Sequence, residues 1–387
     1  MKILLIATYA GLTGASFSLL GVVNQLTMSG QNVNVVLPAH GPLEEHLKQR
    51  NISYEVIRSY PWVETPQNMR RFKKKCFWMI KQCYNKIAER KIEKLIRREK
   101  FDVVHINAFT AGVGSLAAGR TDTPLVWHIR EFVTDDLGKQ FWQEETAMQR
   151  LANADCAIAI SESVRERFMK GSPSAQIVTV YNGIDPKPYL DLESREIFSG
   201  SDIKLMVAGR IVPEKGQREV IEAVSQLRRR GYTQLKLDLV GGYSETEYVR
   251  SLRDYIRSEG LEDAVRFCGN TDRMAETWNT ADIAVVSSKF EAFGRVTAEA
   301  MMAGALVIGA DTAGTKELVG SEYGLLYQQG SAESLAEQIA HAIEHPEQMR
   351  GIAKRACEHS LSRYTAEQNA KAILDIYRKV TMEKKHE

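Results

Sequence analysis

Glu291-Ala292-Phe293-Gly294-Arg295-Val296-Thr297-Ala298-Glu299 runs on through Ala300-Met301-Met302-Ala303-Gly304 into Ala305-Leu306-Val307-Ile308. The pattern reads as a small turn, a helix start, an apolar helix stopped at Gly304 and a further strand. A helix start offers unpaired backbone N–H groups and the positive end of the helix dipole, so an anion such as phosphate suits it. The two carboxylates flanking the turn are poor neighbours for phosphate and good acceptors for paired sugar hydroxyls. A phosphate-bearing sugar compound over this turn is the reading that accommodates both.

Working outward, short β-rich runs precede and follow the stretch, at 204–208, 235–240, 265–268, 283–286, 305–308 and 325–327. Helical patterns lie between them at 217–230, 245–258, 273–279, 295–303 and 332–344. The first half has the same rhythm, with strands at 3–7, 33–37, 52–57, 103–106, 125–129, 156–160 and 177–180. Such alternation predicts an α/β chain of two doubly wound, mostly parallel sheets with helices on both faces. Tyr181-Asn182-Gly183-Ile184-Asp185-Pro186-Lys187-Pro188 breaks the pattern with Asn-Gly and two prolines and reads as the connection between domains. The expected domains are 1–183 and 184–364, with a last helix over 365–387 that either extends the second domain or crosses back onto the first. Ala154-Asp155-Cys156-Ala157-Ile158 echoes Ala281-Asp282-Ile283-Ala284-Val285, too briefly to establish a duplication.

The 387 residues fit two domains of roughly 180 residues each. Hydrophobic residues at 44% and charged residues at 26% are ordinary for a globular chain, and no apolar run approaches the ~20 residues of a membrane span. Five scattered cysteines without a zinc or redox spacing suit a reducing, cytoplasmic setting. The opening strand leads into Gly11 and Gly14, with Ala15 and then Ser16 as the expected helix cap. This Gly-x-x-Gly is not a dinucleotide fingerprint; it serves either as a tight turn or as a phosphate or substrate contact.

Between Arg70 and Lys100 basic residues far outnumber Glu89, Glu93 and Glu99, and Phe72, Phe77, Trp78, Ile80 and Tyr84 are interleaved. The segment reads either as a helix for an anionic membrane surface or as a solvated helix packed on the sheet. Nucleic acid is not expected, because no recognised binding fold accompanies the run. After the strand ending at Ala208, Arg210 and Lys215 share one loop, which suits either a diphosphate or a local ion pair. No Asp-x-Asp motif accompanies these groups, and neither a metal nor another cofactor is expected; the two cations and the helix start can take a metal's place.

Tyr181-Asn182-Gly183, then Gly209-Arg210 with Lys215-Gly216, then Glu291-Ala292-Phe293-Gly294 with Glu299-Ala300-Met301 and Gly304 resemble the family-4 retaining glycosyltransferases of the GT-B fold. The resemblance spans essentially the whole second half. It implies two Rossmann-like domains, with a nucleotide-sugar donor held by the second in the inter-domain cleft and a glycan or lipid-linked acceptor by the first. Carried over by position, Arg210 and Lys215 would bind the diphosphate, while Phe293, Gly294, Arg295 and Val296 would line the turn that faces phosphate and sugar. Glu291 would meet the transferred sugar, Glu299 the ribose, and Gly269 and Asn270 the base. His128 would reach toward the sugar from the first domain. The implied activity is metal-independent, retaining transfer of a hexose-type sugar, with UDP expected from family frequency. The expected setting is cell-surface polysaccharide synthesis on the inner face of the membrane. An epimerase or phosphorylase on the same scaffold, or a non-catalytic partner of an active transferase, are the alternatives.

Overall fold

The computed structural model describes residues 1–193 and 195–386. It divides into two compact units, Met1–Ile184 with Ala366–Glu387, and Asp185–Thr365. In the first unit the strands are β1 (Lys2–Ile6), β2 (Asn32–Leu37), β3 (Ser53–Val56), β4 (Val63–Glu64), β5 (Val103–Ile106), β6 (Leu125–Ile129), β7 (Gln140–Phe141), β8 (Cys156–Ala159) and β9 (Ile177–Thr179). Seven form one parallel sheet in the order β3-β2-β1-β5-β6-β8-β9, and β4 pairs antiparallel with β7 beside it. The second unit contains β10 (Ile203–Ala208), β11 (Leu235–Val240), β12 (Val265–Gly269), β13 (Ile283–Val286), β14 (Leu306–Ala310) and β15 (Leu325–Tyr327). They form a parallel sheet in the order β12-β11-β10-β13-β14-β15.

The central strands β5, β6, β8 and β13 are buried at every position, as expected of parallel strands covered by helices on both faces. The short Ala-Asp echo has a physical cause. Asp155 Oδ2 accepts the N–H of Leu125 at 2.8 Å, and Asp282 Oδ2 accepts that of Lys204 at 2.8 Å. Asp102, in front of β5, does the same for Lys2 at 2.6 Å. Each aspartate satisfies the N–H of the residue just before the first ladder pair between its own strand and the neighbour.

The first helix, Gly14–Met28, is capped by Thr13, whose Oγ1 accepts the Ser16 N–H at 3.3 Å; the cap therefore stands three residues before the expected Ser16. Ser16 instead donates its hydroxyl to the Gly11 carbonyl at 2.5 Å. The last helix, Ala366–His386, lies on the first unit and buries Ile373, Leu374, Tyr377 and Val380 in a core shared with Leu5, Leu19, Val35 and Val126. A helix over Pro346–Arg363, unmarked in the sequence reading, packs on the second unit through Met349, Ile352 and Ala353. Among the described residues no helix is long and apolar enough to cross a membrane.

Candidate active site

In each sheet the strand order reverses once, between β1 and β5 and between β10 and β13. At such a reversal the loops leaving neighbouring strands diverge and open a crevice at the strands' carboxyl ends. In the second unit, Arg210 and Lys215 leave β10 on one side of this point, and the 291–299 stretch follows β13 on the other.

Close backbone contacts, several of them at glycines, hold these loops together. A Cβ on Gly216 would collide with the Ser287 carbonyl oxygen, and Gly216 has a φ of +69°. Ser287 Oγ donates to the Lys215 carbonyl at 2.8 Å, so the Lys215-Gly216 backbone rests directly on the end of β13. Behind the 291–294 turn, Gly314 N–H donates to the Glu291 carbonyl at 2.9 Å, and a Cβ there would stand 2.6 Å from the Phe293 carbonyl oxygen. The loops after β10, β11 and β12 are tied edge to edge by Gly209 N–H to the Val240 carbonyl at 2.9 Å and Gly241 N–H to the Gly269 carbonyl at 2.7 Å. Asn270 lies against Gly242, where a Cβ would be 2.9 Å from its Oδ1.

Gly294 takes a φ of +86° and starts the helix Arg295–Met302 without a side-chain cap. Phe293 is buried beneath it and meets Tyr364 edge-on, with ring centroids 5.8 Å apart. Each acid has a cationic partner. Lys215 Nζ binds Glu291 Oε1, and Arg295 Nε lies 2.7 Å from Glu299 Oε1. Burial pushes the Glu299 carboxyl up, with the Arg295 charge opposing it. The Arg210 side chain is exposed and makes no hydrogen bond or ion pair among the described residues, which leaves its guanidinium available. The arrangement thus offers one unspent guanidinium, one ammonium on a carboxylate, and an uncapped helix start, all on adjoining loops.

In the first unit, Gly11, Gly14 and Ala15 follow β1 at the β1/β5 reversal, and Asn107 Nδ2 donates to the Ala15 carbonyl at 3.3 Å. His128 does not present its ring at a strand end. It is fully buried, stacked on His105 with centroids 5.2 Å apart. All five residues of β6 are buried, so a side chain on either face of this strand is enclosed. Arg130 Nη2 lies 3.2 Å from His128 Nδ1, which makes that nitrogen the acceptor and Nε2 the protonated one; Nε2 has no partner among the described residues. Burial and then the Arg130 charge hold the His128 ring far below its ordinary titration range and bring His105 down to about 3. Tyr377, from the last helix, closes the group through its hydroxyl on His105 Nδ1.

Arg130 is the residue of this region that sequence reasoning missed. It is buried, donates from Nε to the Asn107 carbonyl at 2.8 Å, and reaches Asn182 Oδ1 through Nη1 at 2.5 Å. Burial lowers its guanidinium to about 10. Asn182, read from the sequence as part of the domain connection, is the available signal, since a buried amide needs a partner. Among the described residues no group of three or more His, Cys, Asp or Glu side chains could hold a metal ion.

Comparison with known proteins agrees with the two-sheet fold. Residues 192–359 match the family model described as glycosyl transferases group 1, and residues 12–187 match that described as glycosyltransferase family 4. A D-inositol 3-phosphate glycosyltransferase of Kineococcus radiotolerans is 27% identical over 317 residues, 73% of this chain and 73% of the relative. Anabaena HepE in complex with UDP superposes with a TM-score of 0.80 at 24% identity, covering 98% of this chain and 100% of HepE. Its UDP-glucose complex gives 0.78 at 23% identity with the same coverage.

Proposed function

Since the chain belongs to the family-4 glycosyltransferases of the GT-B fold, we propose that it moves a hexose-type sugar, with retention of configuration, from a UDP-sugar to a hydroxyl of a glycan or lipid-linked acceptor during synthesis of a cell-surface polysaccharide. The observation that carries this reading is the meeting of Arg210, the Lys215–Glu291 pair and the uncapped helix start at Gly294 around the β10/β13 reversal. That HepE holds UDP and UDP-glucose supports uridine as the base.

In this reading the donor diphosphate receives the Arg210 guanidinium and the helix N–H groups, and it draws Lys215 away from Glu291. The exchange releases the Glu291 carboxylate to accept hydroxyls of the sugar, so one ammonium serves the resting site and then the departing charge. Glu299 holds the ribose, and Gly269 with Asn270 meets the base. No metal takes part, because the cations and the helix dipole neutralise the leaving group. A screen of UDP- and GDP-sugars for hydrolysis and transfer tests the reading. Turnover should be confined to UDP-sugars, persist in EDTA, and fall by about 100-fold or more in Glu291→Ala, the scale on which a lost transition-state contact acts. Full activity in that variant, or dependence on a divalent ion, would overturn the assignment.

The protein meets an anionic membrane surface through the helix Phe72–Glu99. Phe72 is 80% exposed, and Phe77, Ile80 and Ile87 are each at least half exposed, beside Lys73, Lys74 and Lys75. Apolar side chains standing in water next to a basic cluster suit an interfacial helix better than one packed on the sheet.

A further inference from the structure

The Gly294 turn rests on a buried side chain, Phe293, which is 3% exposed and carries no polar atom, so packing sets how high its ring and the turn above it sit. One part of that packing is backbone. Gly314 closes on the turn so tightly that a Cβ there would come within 2.7 Å of the Glu291 carbonyl oxygen and 2.6 Å of the Phe293 one. Another part is the edge of the Tyr364 ring, brought in from a residue 71 positions further along the chain.

Tyr364 is itself firmly held. It is 4% exposed, its N–H donates to the Ser360 carbonyl at 2.9 Å, and its hydroxyl lies 3.3 Å from His359 Nε2. The His359 ring meets Tyr364 edge-on, with centroids 5.5 Å apart, and on its own face stacks against Tyr323 at 4.1 Å. Filling a core needs only apolar bulk, whereas rings in set orientations fix a position as well. The helix Pro346–Arg363, which delivers these groups, is fastened to the helix that starts after Gly294. Ser360 Oγ donates to the Ala298 carbonyl at 3.1 Å, and Cys357 Sγ lies 3.4 Å from the Met302 carbonyl oxygen. The helix Arg295–Met302 and the aromatic group beside Phe293 are therefore tied to one support.

Such a support matters to a helix start that binds an anion. Its N–H donors are effective only at about 2.7–3.1 Å from the oxygen they serve, and a displacement of about 1 Å can cost on the order of 100-fold. We propose that Tyr364 is a positioning residue for the donor: through Phe293, its ring holds the Gly294 turn at the height from which the N–H groups of the following helix reach the donor phosphate. This rests on the donor reading above.

Calorimetric titration of the full-length protein with UDP tests it. Tyr364→Leu keeps apolar bulk and removes the ring edge, and it should weaken UDP binding about tenfold; Tyr364→Phe, which keeps the ring, should bind as the parent does. Tyr364→Met gives the same readout should the leucine variant not fold. Ile352→Ala, on the same helix but within the main core of the second unit, should lower the melting temperature at least as far while leaving UDP affinity within twofold of the parent. In a Phe293→Leu background, Tyr364→Leu should add less than a further twofold, because it acts through the Phe293 ring. The proposal is overturned if the Tyr364 variants lacking the ring bind UDP as the parent does, if Tyr364→Phe loses as much as Tyr364→Leu, if Ile352→Ala loses affinity to the same extent, or if the Phe293 and Tyr364 effects simply add. Absence of UDP binding by the parent would instead strike the donor reading, and this proposal with it.

Discussion

At Gly216 the left-handed backbone and the closeness of the Ser287 carbonyl leave no room for a Cβ. Replacing it by Ala should cost about 1–3 kcal/mol, the range for a non-glycine residue held in that region. The Lys215 loop would lift from β13, so UDP affinity, read by calorimetry, should fall at least tenfold while the fold persists. Glu131 gives a prediction in pH. Burial and the neighbouring Asp136 push its carboxyl up from 4.5 to about 7. The folded state therefore binds the proton more tightly than the unfolded chain. The corresponding stability is fully present below about pH 4.5 and is lost as pH rises through about 7, by roughly 3 kcal/mol. Denaturant titrations of Glu131→Gln should match the parent near pH 5 and exceed it near pH 8; an equal deficit at both would sink this account. At this scale the cations and acids of the second unit were legible as residue types in a spacing. Their resting partners were not, because Lys215 and Glu291 are 76 positions apart and nothing local to either names the other.

Among the elements, the helix Phe72–Glu99 carries the membrane prediction. Changing Lys73, Lys74 and Lys75 together to Glu should release the protein from phosphatidylglycerol liposomes, and raising the salt should do the same to the parent, because the attraction is electrostatic and screened. Flotation that ignores both changes would refute it. Strands were read well, since those buried on both faces appear as unbroken apolar runs. The helix Pro346–Arg363 escaped notice because its buried positions include Ala353, Ala356 and Ser360, which leave only a faint apolar stripe. The Thr13 cap was missed for a related reason: Thr13 and Ser16 are both good caps, and only the extended backbone at Thr13, with φ −137° and ψ 173°, selects between them.

For the whole molecule, the first unit is discontinuous in the chain, closed by a segment that follows the entire second unit. The four large side chains that Ala366–His386 buries, Ile373, Leu374, Tyr377 and Val380, represent about 1.5–3 kcal/mol each, a sum comparable with the ~5–15 kcal/mol stability of a domain. Ending the chain at Thr365 should therefore unfold the first unit, seen as loss of the near-ultraviolet signal of Trp127, whereas residues 185–365 expressed separately should fold. Two βα runs, the break near Asn182 and the helix start after Gly294 could be read along the chain, because strand burial, turn chemistry and helix starts are local properties that leave local patterns. Which unit the last helix would join, which cation would meet which acid, that His128 would be enclosed by His105, Arg130 and Tyr377, and that Tyr364 would stand against Phe293 could not. Those are contacts between segments far apart in the chain, selected by how helices pack across a finished sheet, and no short stretch encodes its distant neighbour.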